Sequence, residues 1–376
     1  MTVRRFLSYV LVAAVSAAVA FALPCNAGKL GQLDNLISQR FIGESDRDDR
    51  LDAAARAMVD ATGDRWSYYM SAEEYALQKE QSANAFVGVG ITIMKEDLGF
   101  RIVSLTPGGG AEAAGLAPED LLVGVDGQDV RQVDTAEVRS LVTGKEGTAV
   151  NLEIVRDEKT LTFSVQRKRI ETEVAAFQML RPDTALITIR NFDSRCAQET
   201  IAAIESALAS GARQLVFDVR NNPGGYVTEL VAVLDYLLPE GELFRSVSYD
   251  GKEKVELSDD YCLDLPMAVL VNSHSYSAAE FFAAALAEYD AAIVVGEKTV
   301  GKGYYQITYA LNDGSAVALS SGKYFTPKGV SLADVGITPD MEVSLTEKEN
   351  AALASGTLPP EEDPQIQQAL EGLENP

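Results

Sequence analysis

From Glu171 onwards, short apolar runs alternate with segments of helical spacing, and this alternation leaves the chain few folds to choose from. Residues 185–189 and 214–219 have the length and composition of buried strands, while 197–209 and 227–238 place their apolar residues at helical intervals. The pattern continues through an apolar run at 268–271, a helical stretch at 277–289 and a second apolar run at 291–295. Strands that alternate with helices predict an α/β core with a parallel sheet. One predicted strand ends in Asp218-Val-Arg-Asn-Asn-Pro-Gly-Gly225, whose glycines expose backbone donors. Another runs into Asn272-Ser-His-Ser-Tyr-Ser-Ala-Ala-Glu280, which puts Ser277 where a strand-end loop opens a helix.

A serine in that place has a chemical use. Amides at a helix start are unpaired and carry the positive end of the dipole, so they stabilise an oxyanion forming beside them. The nucleophile also needs a base. The chain has one His in 376 residues, His274, on the same short loop as Ser277, where a ring would struggle to face both a hydroxyl and an orienting carboxylate. The other candidate is Lys302, between Gly301 and Gly303 in the loop after the next predicted strand. Flanking glycines allow close backbone approach and burial of the amine, which favours the neutral form that a base requires.

Ser277, Lys302 and Gln306 together resemble the Ser-Lys site of the C-terminal processing peptidases, the tail-specific proteases. That family carries its nucleophile in a Ser-Ala-Ser-Ala-Ser-Glu loop and its base in Phe-Gly-Lys-Gly. Here Tyr276, Ala279 and Val300 depart from the family pattern. The resemblance implies Ser277 as nucleophile, Lys302 as general base and Gln306 as the residue that orients the lysine. It also implies that a glycine N–H from Gly224 or Gly225 joins that of Ala278 in an oxyanion hole, since 218–225 matches the family's Asp-Leu-Arg-x-Asn-Pro-Gly-Gly motif. Asp218 and Arg220 read as a structural ion pair. The implied fold is α+β and multidomain: N-terminal helices, a PDZ domain and an α/β protease core of the ClpP/crotonase type, with no metal and no cofactor.

Divided accordingly, residues 1–28 form a signal peptide or membrane anchor, 29–85 a helical region, 86–170 a PDZ domain, 171–345 the protease core and 346–376 a loose acidic tail with a short helix at 364–373. Arg4 and Arg5 before an uncharged run at 6–23 have the layout of an export signal or uncleaved anchor, and Ala20-Phe-Ala22 offers a cleavage site. An extracytoplasmic protein, secreted or membrane-anchored, follows. In 29–85, Leu51, Ala54, Ala55, Met58 and Val59 share a helical face, and Asp64-Arg-Trp-Ser-Tyr68 resembles a turn of the family's leader region. We read that region as structural and open to homo-oligomer contacts, with Trp66 in a core.

Alternating runs at 89–94, 101–105, 121–125 and 150–155, with a helix at 135–142, look like a PDZ domain. In its Gly88-Val89-Gly90-Ile91 turn, consecutive amides hold a terminal carboxylate while the adjacent strand edge pairs with the peptide. The partners implied are proteins or peptides with nonpolar C-terminal tails. Gly108-Gly-Gly110 reads as a flexible turn.

A net charge of −24, from 56 acidic and 32 basic residues, argues against nucleic acid as a partner. Cys25, Cys196 and Cys262 lack metal-ligand spacing, and a Cys196–Cys262 disulfide stays open. Three rivals remain. Gly296-Glu-Lys-Thr-Val-Gly-Lys302 resembles a phosphate-binding loop, but Gly303 stands where Ser or Thr is needed and 304–309 reads as a strand instead of a helix. A PDZ scaffold with its chemistry lost, and a hydrolase dependent on His274, are the others.

Overall fold

The computed structural model describes residues 28–374 and divides into two compact units. The first holds the residues up to Tyr75 together with Gln306–Ser320; the second holds Ala76–Tyr305 and everything from Ser321. The predicted signal or anchor at 1–28 falls, apart from Gly28, outside the described residues. Among the described residues no helix is long and apolar enough to cross a membrane.

The first unit contains the helices Lys29–Arg40 and Arg47–Asp60 and the strand Tyr68–Met70. Asp46 caps the second helix by accepting the Asp48 and Asp49 amides, and the buried Asp34 accepts from Arg47 and Arg50. Tyr68–Met70 pairs antiparallel with Ala316–Ala318, a strand that the helical reading of 29–85 did not foresee. The predicted helical face is open: Leu51, Ala54, Ala55, Met58 and Val59 line an apolar groove of about 480 Å³ with Leu33. Trp66 is half-buried, with the Arg65 guanidinium 4.5 Å from its ring centroid.

Within the second unit the PDZ region is an antiparallel sheet ordered Ile91–Glu96, Gly99–Leu105, Leu121–Val125, Ala149–Arg156, Lys159–Gln166. Phe100, Ile102, Leu122, Leu152 and Ile154 point to one buried face, where Val138 of the helix Thr135–Val142 closes the core. Gly108–Gly110 is not the flexible turn expected: Gly109 caps and Gly110 opens a short helix, Gly110–Ala114, and a Cβ on Gly110 would stand 1.9 Å from the Gln166 carbonyl oxygen.

The core sheet runs Ala175–Arg181, Thr184–Ile189, Gln214–Asp218, Met267–Val271, Ala292–Gly296, Met341–Glu342. Its first pair is antiparallel and the rest are parallel. Successive residues of a strand face opposite sides. Leu215 and Phe217 accordingly pack against the helices Cys196–Ala209, Val227–Leu237 and Ala278–Glu288, while Val216 packs with Leu270 and Val295 on the reverse. Burial on both faces explains why these strands read as unbroken apolar runs.

The reverse face corrects the sequence reading. The helix Pro364–Glu374 is where expected, but it is not part of a loose tail: Ile366, Ala369, Leu370 and Leu373 are buried against Leu186, Val216, Ala268 and Leu270. Its acidic composition hid a single apolar stripe. The hairpin Glu242–Ser248 and Glu253–Leu257 was also missed, because its strands interleave apolar residues with charged ones such as Arg245, which pairs with Glu242. Cys196 is buried and Cys262 exposed, both as free thiols, so the disulfide is not formed; burial pushes the Cys196 thiol up to about 12.

If the terminal helix is structural, Leu370→Ala should cost about 2–5 kcal/mol in urea unfolding. A change under about 0.5 kcal/mol would restore the loose-tail reading.

Candidate active site

Three neighbouring parallel strands bring the chemistry together. Phe217 pairs with Val269 and Asp218 with Leu270, and Val271 pairs with Gly296, so the carboxyl ends of Gln214–Asp218, Met267–Val271 and Ala292–Gly296 lie side by side. The loops that leave them carry Asn222-Pro-Gly-Gly225, Ser277 and Lys302 respectively. Loops beyond the carboxyl ends of parallel strands are where such sheets place ligands.

Ser277 is the N-cap of the helix Ala278–Glu288, with φ 59° and ψ −124°. A side-chain-bearing residue held at positive φ costs on the order of 1–3 kcal/mol and persists only where its surroundings determine it. Gly224 supplies part of that surrounding: a Cβ there would lie 2.8 Å from the Ser277 Cβ and 2.9 Å from the Ala278 nitrogen, so only glycine lets the two loops meet. Ala278 follows as the first residue of the helix.

Glu280 holds the arrangement together. Its carboxylate is fully buried and accepts the Ser277 N–H at 2.9 Å, the Lys302 N–H at 2.9 Å, the Gly301 N–H at 2.7 Å and the Thr299 hydroxyl at 2.5 Å. One side chain thus joins the loop bearing the serine to the loop bearing the lysine. Sequence reasoning had Glu280 in its motif and gave it no role; a buried carboxylate three residues into an apolar helix was the available signal.

Lys302 is half-buried, and its Nζ lies 5.7 Å from the ring centroid of Tyr276, the residue before Ser277. The glycines beside it make room for a third loop. Cβ atoms would lie 2.9 Å from the Val335 nitrogen at Gly301 and 2.5 Å from the Ala333 nitrogen at Gly303. After Lys302 the chain becomes the strand Tyr304–Ala310, so no helix N-terminus follows to hold a phosphate.

Gln306 belongs to the first unit, where its Nε2 donates to Ser320 Oγ at 3.1 Å. The Ser320 N–H donates to Ser67 Oγ at 2.9 Å, and Ser67 Oγ to Asp64 Oδ2 at 2.5 Å. The Asp64–Tyr68 turn therefore ends at the residue that anchors Gln306. His274 is exposed, with Nδ1 3.4 Å from Ser273 Oγ.

In the glycine loop, Gly224 donates its N–H to Asn222 Oδ1 at 2.8 Å, and Gly225 approaches Phe192 so closely that a Cβ would stand 2.2 Å from the Phe192 carbonyl carbon. Asn222 also donates to the Ile189 carbonyl and accepts the Tyr276 N–H, while Asn221 and Asn272 exchange bonds in both directions. Asp218 and Arg220 form the expected ion pair, with both carboxylate oxygens engaged. Behind Gly225, burial and then the nearby Glu229 push the Asp193 carboxyl up to about 6.

At the predicted PDZ turn Gly88 ends a strand, Gly90 has φ 81°, and Ile91 opens a strand that pairs, among the described residues of the sheet, with Gly99–Leu105 alone. The other edge of Ile91–Glu96 is open to an added strand.

A serine at a helix N-terminus, donor amides around it and an amine on an adjoining loop suit acyl transfer. Known proteins agree. The sequence profile of Peptidase family S41 matches residues 183–343, and that of the PDZ domain matches residues 101–156. The chain is 31% identical over 320 residues to the carboxy-terminal processing protease CtpA of Bacillus subtilis, covering 84% of this chain and 69% of that one. It is 33% identical over 297 residues to a CtpA-like serine protease of Staphylococcus haemolyticus, covering 78% of this chain and 60% of the relative. A solved S41-family structure from Bacteroides fragilis shares the fold, with a TM-score of 0.56 at 16% identity over 93% of this chain and 98% of the other.

Glu280→Gln sets an amide NH₂ against N–H donors in either orientation. It should cost about 2–5 kcal/mol of stability and reduce turnover at least tenfold, by urea unfolding and peptide cleavage. An unchanged variant would show that the two loops are held by something else.

A second expectation concerns pH. A carboxyl raised from 3.8 to about 6 contributes stability that is full below about pH 4 and is lost as pH rises through 6. Asp193→Asn should therefore gain stability relative to the wild type between about pH 4.5 and 7.5. Parallel stability curves over that range would contradict this.

Proposed function

The chain belongs to peptidase family S41 and is a serine-type peptidase, and from that premise we propose that it cleaves proteins near their C-termini with Ser277 as nucleophile and Lys302 as general base. The observation that carries the reading is the shared Glu280 carboxylate, which bonds to the backbone amides of both residues. Neutral Lys302 takes the Ser277 proton as Oγ attacks the scissile carbonyl; the tetrahedral intermediate collapses with cleavage of the C–N bond, the departing amine takes the proton back from Lys302, and water then hydrolyses the acyl-enzyme. The oxyanion is received by the N–H of Ala278 and of Gly225; the Gly224 N–H is already engaged by Asn222. Gln306 orients the lysine amine, itself steadied by Ser320. Substrate enters through the PDZ turn at Gly88, Val89, Gly90 and Ile91, where a nonpolar C-terminal tail adds to the open edge of Ile91–Glu96.

Arg4, Arg5 and the uncharged run after them support export, with the protein secreted or anchored outside the cytoplasm. Substrates are loosely folded proteins. No nucleotide-driven unfolding step is invoked.

Two measurements on the full chain test the assignment. Ser277→Ala should abolish cleavage of a peptide with a nonpolar C-terminus, and His274→Ala should change it only modestly; equal rates for wild type and Ser277→Ala would leave only a peptide-binding scaffold. kcat/KM should rise towards alkaline pH as the amine loses its proton, whereas a rate flat from about pH 5 to 9 would remove Lys302 as the base.

A further inference from the structure

The Arg220 guanidinium is almost completely buried and donates four hydrogen bonds to side chains. Nε and Nη2 meet the two oxygens of Asp218 at 2.9 and 2.6 Å, and Nη1 meets Asp363 Oδ2 at 2.7 Å and Gln365 Oε1 at 2.9 Å. Asp363 and Gln365 lie more than 140 residues further along the chain and are themselves 1% and 0% exposed. The second oxygen of Asp363 accepts the amides of Gln365 and Ile366 at 2.9 and 3.3 Å, so one carboxylate both caps the helix Pro364–Glu374 and closes the fork around Arg220. Gln365 is held in turn by its bond to the Val343 carbonyl at 2.7 Å.

Burying a cation and two carboxylates costs desolvation that well-packed apolar residues would avoid, so such a cluster is weak as a source of stability. It fixes direction instead. Arg220 begins the loop that runs Asn221-Asn222-Pro223-Gly224-Gly225, and its own N–H is tied to Asp218 Oδ1 at 3.0 Å. The next residue, Asn221, is locked to Asn272 at the base of the Ser277 loop, and the Asn222 carbonyl accepts the Tyr276 N–H. Arg220 is therefore fixed through both its side chain and its own N–H at the point where the loop to Gly225 begins.

We propose that Asp363 and Gln365 are positioning residues for the oxyanion loop, and that the C-terminal helix is part of the apparatus that cleaves substrate. The inference rests on the assignment of Gly225 and Ala278 as oxyanion donors. The helix acts through Arg220, and neither Asp363 nor Gln365 touches substrate.

The test uses the full chain with Asp363→Asn, Asp363→Glu and Gln365→Met. An asparagine has a single acceptor oxygen: kept on the helix cap it turns an NH₂ donor towards Nη1, and turned towards Nη1 it sets that NH₂ against the cap amides. The expected result is a fall in kcat of roughly tenfold or more with KM within about twofold, and a parallel loss of affinity for a peptide aldehyde, whose adduct is tetrahedral. Asp363→Glu, which restores the charge, should recover part of kcat, and Gln365→Met should lower kcat less than Asp363→Asn. A merely structural role would lower Tm while leaving kcat per folded molecule and aldehyde affinity unchanged, and that result overturns the proposal. If Asp363→Asn does not fold, Gln365→Met is judged by the same readouts. Residual cleavage by Ser277→Ala would instead overturn the site assignment; a silent Ser277→Ala beside a fully active Asp363→Asn overturns only the positioning role.

Discussion

A single carboxylate holds this site in shape. Glu280 is buried beside four donors, three of them backbone amides from the two loops that carry Ser277 and Lys302. Its charge is solvated by those donors in place of water, which is what allows an ionised group to sit inside an apolar helix. The dependence runs both ways, because the donors lie in loops that offer them no helix or sheet bonds. Removing the acceptor leaves amides unpaired in both loops at once.

The sheet makes that meeting possible. Because three consecutive parallel strands end in register, residues distant in sequence emerge at one edge, and each loop is then tied to its neighbour: Ser275 Oγ to the Val219 carbonyl, Asn221 to Asn272, and Gly301 to Asp334. The strain at Ser277 is sustained by this bracing, with Gly224 close against its Cβ. The sheet's rigidity comes from burial on both faces, helices on one side and the Pro364–Glu374 helix on the other.

Much of this was legible in the chain before any coordinates. The apolar runs at 121–125 and 268–271 and the helix at 135–142 could be read because burial on one or both faces writes itself as periodicity. Ser277 and Lys302 stood out through the motifs around them. Glu280 did not, since a carboxylate's role depends on which donors converge on it and those come from another loop. The difference between Gly224 and Gly225 was likewise invisible: the Asn222 side chain folds back to accept the first amide. The terminal helix was found but misjudged, because acidic composition outweighed four apolar residues on one face.

The central claim is that the hydroxyl of Ser277 becomes acylated once the two loops are clamped on Glu280. Intact and peptide-mapped mass spectrometry, after acid quenching of the enzyme with a slowly hydrolysed activated ester, tests it most directly. The account requires the acyl group on the peptide containing Ser277, formed and lost at rates that match turnover. Steady hydrolysis with no adduct, or an adduct on another side chain, would contradict it.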